Sequence, residues 1–176
     1  GIDLDASQVV HRVSIGGSLC SAPMVYQGRI FVTSDVPRGR QLDGKQGLVT
    51  AIDAVSGKIA YGPLKVSSQG LRAGPILYEK CVWVVDVAGT VYRIDQTLTR
   101  CEKCFHAGVD MVRGQIAVEP RRQLLYLCGI GGLVIASPRR YSTDCKKPYG
   151  STSFRNQPVI LGNKVFAATE DGRLYA

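Results

Sequence analysis

Cysteine and histidine are the side chains of this sequence with the widest chemistry, and two cysteines and a histidine fall together in CEKCFH, Cys101 to His106. C-x-x-C spacing beside a histidine is what a zinc site or a dithiol redox centre uses. Cys101, Cys104 and His106 are therefore the candidate metal ligands. Three features count against them. The segment reads as an outer β-strand, where residues three apart point to opposite faces, whereas zinc knuckles carry the pair on a turn. Cys145 is single, so a second ligand pair at similar spacing is missing, and Phe105 breaks the C-x-x-C-H order of haem attachment. The expectation is structural thiols and no metal.

The remaining reactive groups assemble no better. His11 and His106 are the two histidines, and neither has a serine or cysteine nucleophile with an orienting acid placed beside it. Asp86, Glu170 and Asp171 read as turn or strand-end residues. Cys81 in KCVWVV and Cys128 in LLYLCG sit inside apolar runs, where a free cysteine behaves as a small buried hydrophobe. That placement favours free thiols and a reducing compartment such as the cytoplasm.

What must position these residues is a repeat. IDLDASQVVHR, from Ile2, aligns without a gap on IDAVSGKIAYG, from Ile52, pairing Asp3 with Asp53 and Val9, Val10 with Ile59, Ala60. SAPMVYQGRIFVTS from Ser21 matches AGPILYEKCVWVVD from Ala73, GQIAVEPRRQLLYLCG from Gly114 and NQPVILGNKVFAAT from Asn156. Taking Pro23, Pro75, Gln115 and Pro158 as equivalent, the steps are 52, 40 and 43 residues. The long step contains Asp35 to Gln46, whose glycine, proline and charge mark a loop insertion. The underlying period is that of one propeller blade.

Each unit reads as short β-branched and aromatic runs divided by turn residues, with no helical period. In the second unit Pro75 to Tyr78, Cys81 to Asp86 and Thr90 to Asp95 are strands A, B and C, with Glu79-Lys80 and Ala88-Gly89 as tight connections. The glycine before strand C recurs as Gly47, Gly89, Gly132 and Gly172, as expected where a turn needs positive φ. Strand D follows a hairpin such as Val55 to Gly57. The architecture expected is an all-β propeller of four-stranded antiparallel blades, about four blades' worth, in preference to a β-sandwich, whose strands do not repeat one another. Residues 2–14 supply an outer strand, 18–66 a blade with the insertion 35–46, 71–108 and 112–148 two further blades, and 154–176 an incomplete one. Ala176 aligns with Ala51, and Ile2 with Ile52. Either strand D from Ile2 to Ser14 closes a four-bladed ring, or the chain is part of a larger ring of seven or eight blades; the second is favoured.

AIDAVSGKIAY, Ala51 to Tyr61, is similar to the A-x-D-x-x-S/T-G-K/E-x-x-W signature of the pyrroloquinoline-quinone-type propeller repeat, with Tyr61 where that family has its docking tryptophan. The AGP-like starts of strand A and the DGRLYA run at Asp171 also resemble it. The family includes quinoprotein alcohol dehydrogenases, outer-membrane assembly lipoproteins and the C-terminal propeller of β-alanine-activating, acyl-activating enzymes, and the blade junctions resemble the last most. The turn after Asp95 lacks the family's Ser/Thr-Gly, Ser137-Pro138 replaces its Ile-Asp, and Trp83 lies in strand B and not at the docking position. A quinoprotein of this family would need a complete ring, a calcium site of Glu, Asn and Asp, a catalytic Asp and often a vicinal cysteine pair. Those are not assembled here, so no pyrroloquinoline quinone or other cofactor is expected.

The net charge of +8 suits an anionic partner as well as plain solubility, and the basic residues are too scattered to imply nucleic acid. No apolar run reaches the roughly 18 to 20 residues of a membrane helix. Arg121-Arg122 in an A to B connection and Arg139-Arg140 in a C to D connection emerge at one end of a blade, while the insertion with Arg38 and Arg40 lies at the other. Loops carry function more often than the strands that hold them, so these arginines are the contact candidates. The reading is a non-catalytic scaffold that binds a protein partner or flanking domain. Its alternatives are a segment of a quinone-dependent dehydrogenase or acyl-activating enzyme with its active site elsewhere, and an outer-membrane assembly propeller.

Overall fold

Runs such as ILY, CVWVV and TVYRI alternate in side-chain direction and are bounded by turn residues, and each forms a strand. The computed structural model describes residues 2–3, 5, 8–37, 45–139, 142–144, 153–154 and 156–176. An N-terminal hairpin comprises β1 (Ile2–Asp3) and β2 (Gln8–Val9). Blade 1 holds β3 (Met24–Tyr26), β4 (Arg29–Pro37), β5 (Lys45–Asp53) and β6 (Ile59–Ser67). Blade 2 holds β7 (Ile76–Tyr78), β8 (Cys81–Val85), β9 (Thr90–Ile94) and β10 (Cys101–His106). Blade 3 holds β11 (Ala117–Glu119), β12 (Leu124–Gly129), β13 (Gly132–Ser137) and β14 (Ser142–Asp144). Blade 4 holds β15 (Val159–Leu161), β16 (Lys164–Ala168) and β17 (Leu174–Tyr175). Each is an antiparallel meander in chain order, the sheet form of a propeller blade.

The repeat is visible in register. Ile2 pairs with Val9, Ile52 with Ile59 and Ile94 with Cys101, so the same strand C to strand D contact is made three times, at positions that the alignment equates. Short side chains close the turns. Asp53 accepts from the backbone amides of Val55 and Ser56, and Asp95 from those of Thr97, Thr99 and Arg100, which explains the aspartate that ends strand C in both blades. After Asp95 the left-handed conformation falls on Leu98, φ 54°, whose side chain is held in the core.

Alternation sends successive side chains to opposite neighbours. In β8, Val82 and Val84 face blade 1 with Phe31, Val49 and Ala51, while Trp83 and Val85 face blade 3 with Leu125, Leu127 and Val134. Trp83 is fully buried and its indole N–H donates to the Tyr78 carbonyl at 3.1 Å. Tyr61, where the sequence resemblance expects a docking tryptophan, is half-buried and its hydroxyl accepts from Arg29 at 3.1 Å. A smaller cluster of Cys128, Phe154 and Ala167 joins blades 3 and 4.

Three expectations are corrected. Asp35 to Gln46 is not all loop: β4 and β5 run as one long hairpin in which Asp35 pairs with Gly47, Val36 with Gln46 and Pro37 with Lys45. Backbone bonds between Asp35 and Ser18 anchor that extension. The rest of the insertion, with Arg38 and Arg40, lies outside the described residues, as does Arg140. Gly47 has no positive φ, because it is a strand residue in that hairpin; a Cβ there would stand 2.4 Å from Leu71 Cγ, so close packing is what requires glycine. Gly89, Gly132 and Gly172 do carry positive φ. Residues 2–14 are not one strand: pairing covers Ile2–Asp3 and Gln8–Val9, and 11–15 then alternate between half-buried and exposed without a named strand.

Candidate functional site

Strand β10 carries the candidate ligands, with a bulge between Lys103 and Phe105. Cys104 packs against the cluster between blades 2 and 3, where burial and the Glu102 carboxylate push its thiol up to about 11. Cys101 is in exposed register opposite Ile94, and desolvation by neighbouring atoms raises its thiol too. His106 Nδ1 accepts from the Gly108 amide at 3.0 Å. Among the described residues no three His, Cys, Asp or Glu side chains converge as a metal site. Burial also raises the Cys81 thiol and takes that of Cys128 to about 12, which disfavours the thiolate. The five described cysteines are free.

The buried carboxylates serve the frame. Asp86 directly follows β8 and is 1% exposed. Its Oδ1 accepts from the amides of Ala88 and Thr90, at 3.1 and 2.9 Å, and closes the turn to β9. Its Oδ2 accepts from Ser67 and Tyr92 hydroxyls, at 2.7 and 3.0 Å, and so ties blade 2 to the connection arriving from blade 1. Asp35, 3% exposed, pairs with Arg72 at 3.2 Å through Oδ2. Thr169 takes the Asp86 position in blade 4 and donates to Asp171, which is itself 3.4 Å from Arg173.

Two concave surfaces lie on the inner and outer flanks. Ile76, Ala117, Val118, Pro158 and Ile160 line a groove of about 450 Å³ along the first strands of blades 2, 3 and 4. Near it the Gln115 side chain reaches the carbonyls of Ala22 and Pro75, both at 3.4 Å, bringing three blade entrances together. His11, Val13, Ile30, Ile52 and Asp53 line a cleft of about 220 Å³ where the N-terminal segment crosses blade 1, and His11 Nε2 stands 2.7 Å from the Val55 carbonyl.

The described contact candidates emerge at one end, in the turns that join first to second and third to fourth strands. Arg122 lies 3.6 Å from Glu119 within its own turn, and Arg139 reaches 3.8 Å to Glu79 on blade 2. Acid partners thus offset two of the cations expected to form a basic patch; Arg121 is exposed beside them. Sequence reading placed Arg72 at the end of a connection and Gln115 at a repeat position, and passed over Arg113. Their signal was present, an apolar-Arg pair at Leu71-Arg72, Val112-Arg113 and Phe154-Arg155, just before strand A. Leu71, Val112 and Phe154 are fully buried, and Arg113 Nε is buried with no hydrogen-bond partner.

No family model matches the chain, and no curated protein matches it in sequence. Solved structures do match. The computationally designed Ika4 protein superposes with a TM-score of 0.64 at 10% identity, over 96% of each chain. BamB from Moraxella catarrhalis gives 0.67 at 15% identity over 98% of this chain and 52% of its own, so this chain spans about half of BamB. The designed Ika8 protein gives 0.58 at 9% identity, over 89% of this chain and 44% of that one. At such identities the likeness establishes the fold, a β-propeller like those of BamB and the designed proteins.

Proposed function

We propose that this chain is a non-catalytic propeller module that holds a protein partner or a neighbouring domain within a larger assembly. The observation that carries the reading is a division of labour between side chains. Several groups able to do chemistry are turned inward and spent on turns, as with the four bonds to Asp86, or are buried thiols, as with Cys104 and Cys128. Large apolar groups meanwhile stand in the open on blade 4, where Val159, Leu161 and Leu174 are 59, 70 and 69% exposed. A face of that composition is what protein contacts use.

Crosslinking of the full protein in its own cells, read by mass spectrometry, tests this. Inter-protein crosslinks concentrated on blade 4 and on the turns of Arg121, Arg122 and Arg139 are expected. Alcohol oxidation on adding pyrroloquinoline quinone and calcium, abolished by Asp86→Asn, would contradict it.

A further inference from the structure

The junctions between blades repeat one ion pair and then break it. Met24, Ile76 and Ala117 open the first strands of blades 1 to 3 and pair with Phe31, Trp83 and Tyr126. Counted from those pairs, Arg72 and Arg113 are equivalent, each four residues ahead of its first strand, and Asp35 and Val87 are equivalent, each four residues beyond Phe31 or Trp83. Where blade 1 meets blade 2, the Arg72 Nε–H donates to Asp35 Oδ2 at 3.2 Å. Where blade 2 meets blade 3, Val87 stands in place of that aspartate. The two segments still touch there, since the Val112 amide donates to the Val87 carbonyl at 3.3 Å. The Arg113 Nε is buried and has no hydrogen-bond partner.

No neighbouring segment lends the missing acid. Both oxygens of Asp86 are taken by its four bonds. Asp110, in the same connection as Arg113, is exposed, and among the described residues no ion pair reaches Arg113. The next connection packs close by, because a Cβ on Gly114 would stand 2.4 Å from the Asn156 backbone, yet the sequence from Cys145 to Pro158 has neither Asp nor Glu. Arginine keeps its charge in any protein environment, and a shielded N–H without an acceptor is the costly state of that donor. Arg113 as a whole is only half-buried, so part of the residue meets solvent.

We infer that Arg113 is a carboxylate-binding site, in which a carboxylate from outside the chain takes the role that Asp35 has on Arg72. The ligand class follows from the acceptor that the repeat itself builds at this position, and one charge-assisted pair of this kind binds weakly. The inference is independent of the scaffold reading.

Proton–nitrogen NMR of the arginine Nε–H groups tests it on the full chain, with the Arg113 signal identified by its loss in Arg113→Lys. Titration with sodium acetate, at ionic strength held constant with chloride, is expected to move the Arg113 signal downfield and saturate in the millimolar range. The Arg72 signal, already bonded to Asp35, is expected to stay in place. Val87→Asp supplies the carboxylate within the chain, so its Arg113 signal is expected to start at the shifted position and to ignore acetate. An Arg113 signal unmoved by acetate, or moved as far by chloride, overturns the inference, as does a folded Val87→Asp chain that responds like the wild type. A capped peptide with one glutamate distinguishes the source: binding at least tenfold tighter than acetate assigns the site to an acidic segment of another polypeptide, and equal binding assigns it to a free organic acid.

Discussion

Asp86 shows how a side chain with catalytic potential is used as a fastener. Both oxygens accept two hydrogen bonds, from two backbone amides and two hydroxyls. Asp86→Ala is expected to cost about 3 kcal/mol, because buried donors lose their acceptor, whereas Asp86→Asn costs about 1 kcal/mol, since the Ser67 and Tyr92 hydroxyls can turn to accept. Urea denaturation separates the two. At Asp95, partial burial works to raise the carboxyl, but hydrogen bonds from Thr97, Arg100 and Thr99 outweigh it and hold it down at about 2. Its folded value lies below the unfolded one, so the stabilisation is complete above about pH 5 and is lost as pH falls through 2. Asp95→Asn is expected to flatten the fall in melting temperature over that window; an unchanged acid slope would exclude the role. The thiols differ by burial. Iodoacetamide is expected to label exposed Cys20 in the native protein and Cys128 only on unfolding, checked by peptide mass mapping.

At the scale of elements, the strands were legible because period-2 alternation and turn residues state them directly. Glu79-Lys80 forms the tight turn anticipated, with φ of 49 and 60°, although neither is glycine. The shared register of Ile2, Ile52 and Ile94 was legible for the same reason, since one repeat makes one contact. What the sequence did not disclose depends on neighbours distant in the chain. Gly47 looks like the turn glycines, yet only the position of Leu71 explains it. Gly47→Ala is expected to cost about 1–3 kcal/mol by overpacking, read as a lowered denaturation midpoint. The basic cluster was half legible: topology puts Arg122 and Arg139 at one end, but the acids that meet them, Glu119 and Glu79, come from side-chain reach that spacing does not encode. Trp83 was misweighted as merely out of place, when its burial between blades 2 and 3 makes Trp83→Ala worth about 3–5 kcal/mol.

For the molecule as a whole, stability is graded from the middle outward. Among the described residues blades 2 and 3 share the largest cluster and blade 2 is covered on both faces, whereas the blade 3 to blade 4 cluster has three buried members and Val159, Leu161 and Leu174 of blade 4 are exposed. The proposed function puts contacts on exposed blade surface and not at an internal site. Strand-resolved hydrogen exchange of the dilute chain tests that most directly, because protection reports local opening. The account predicts slowest exchange in β8, β9 and β12 and fast exchange in β2, β16 and β17; protection of β16 and β17 equal to that of β8 and β9 would contradict it.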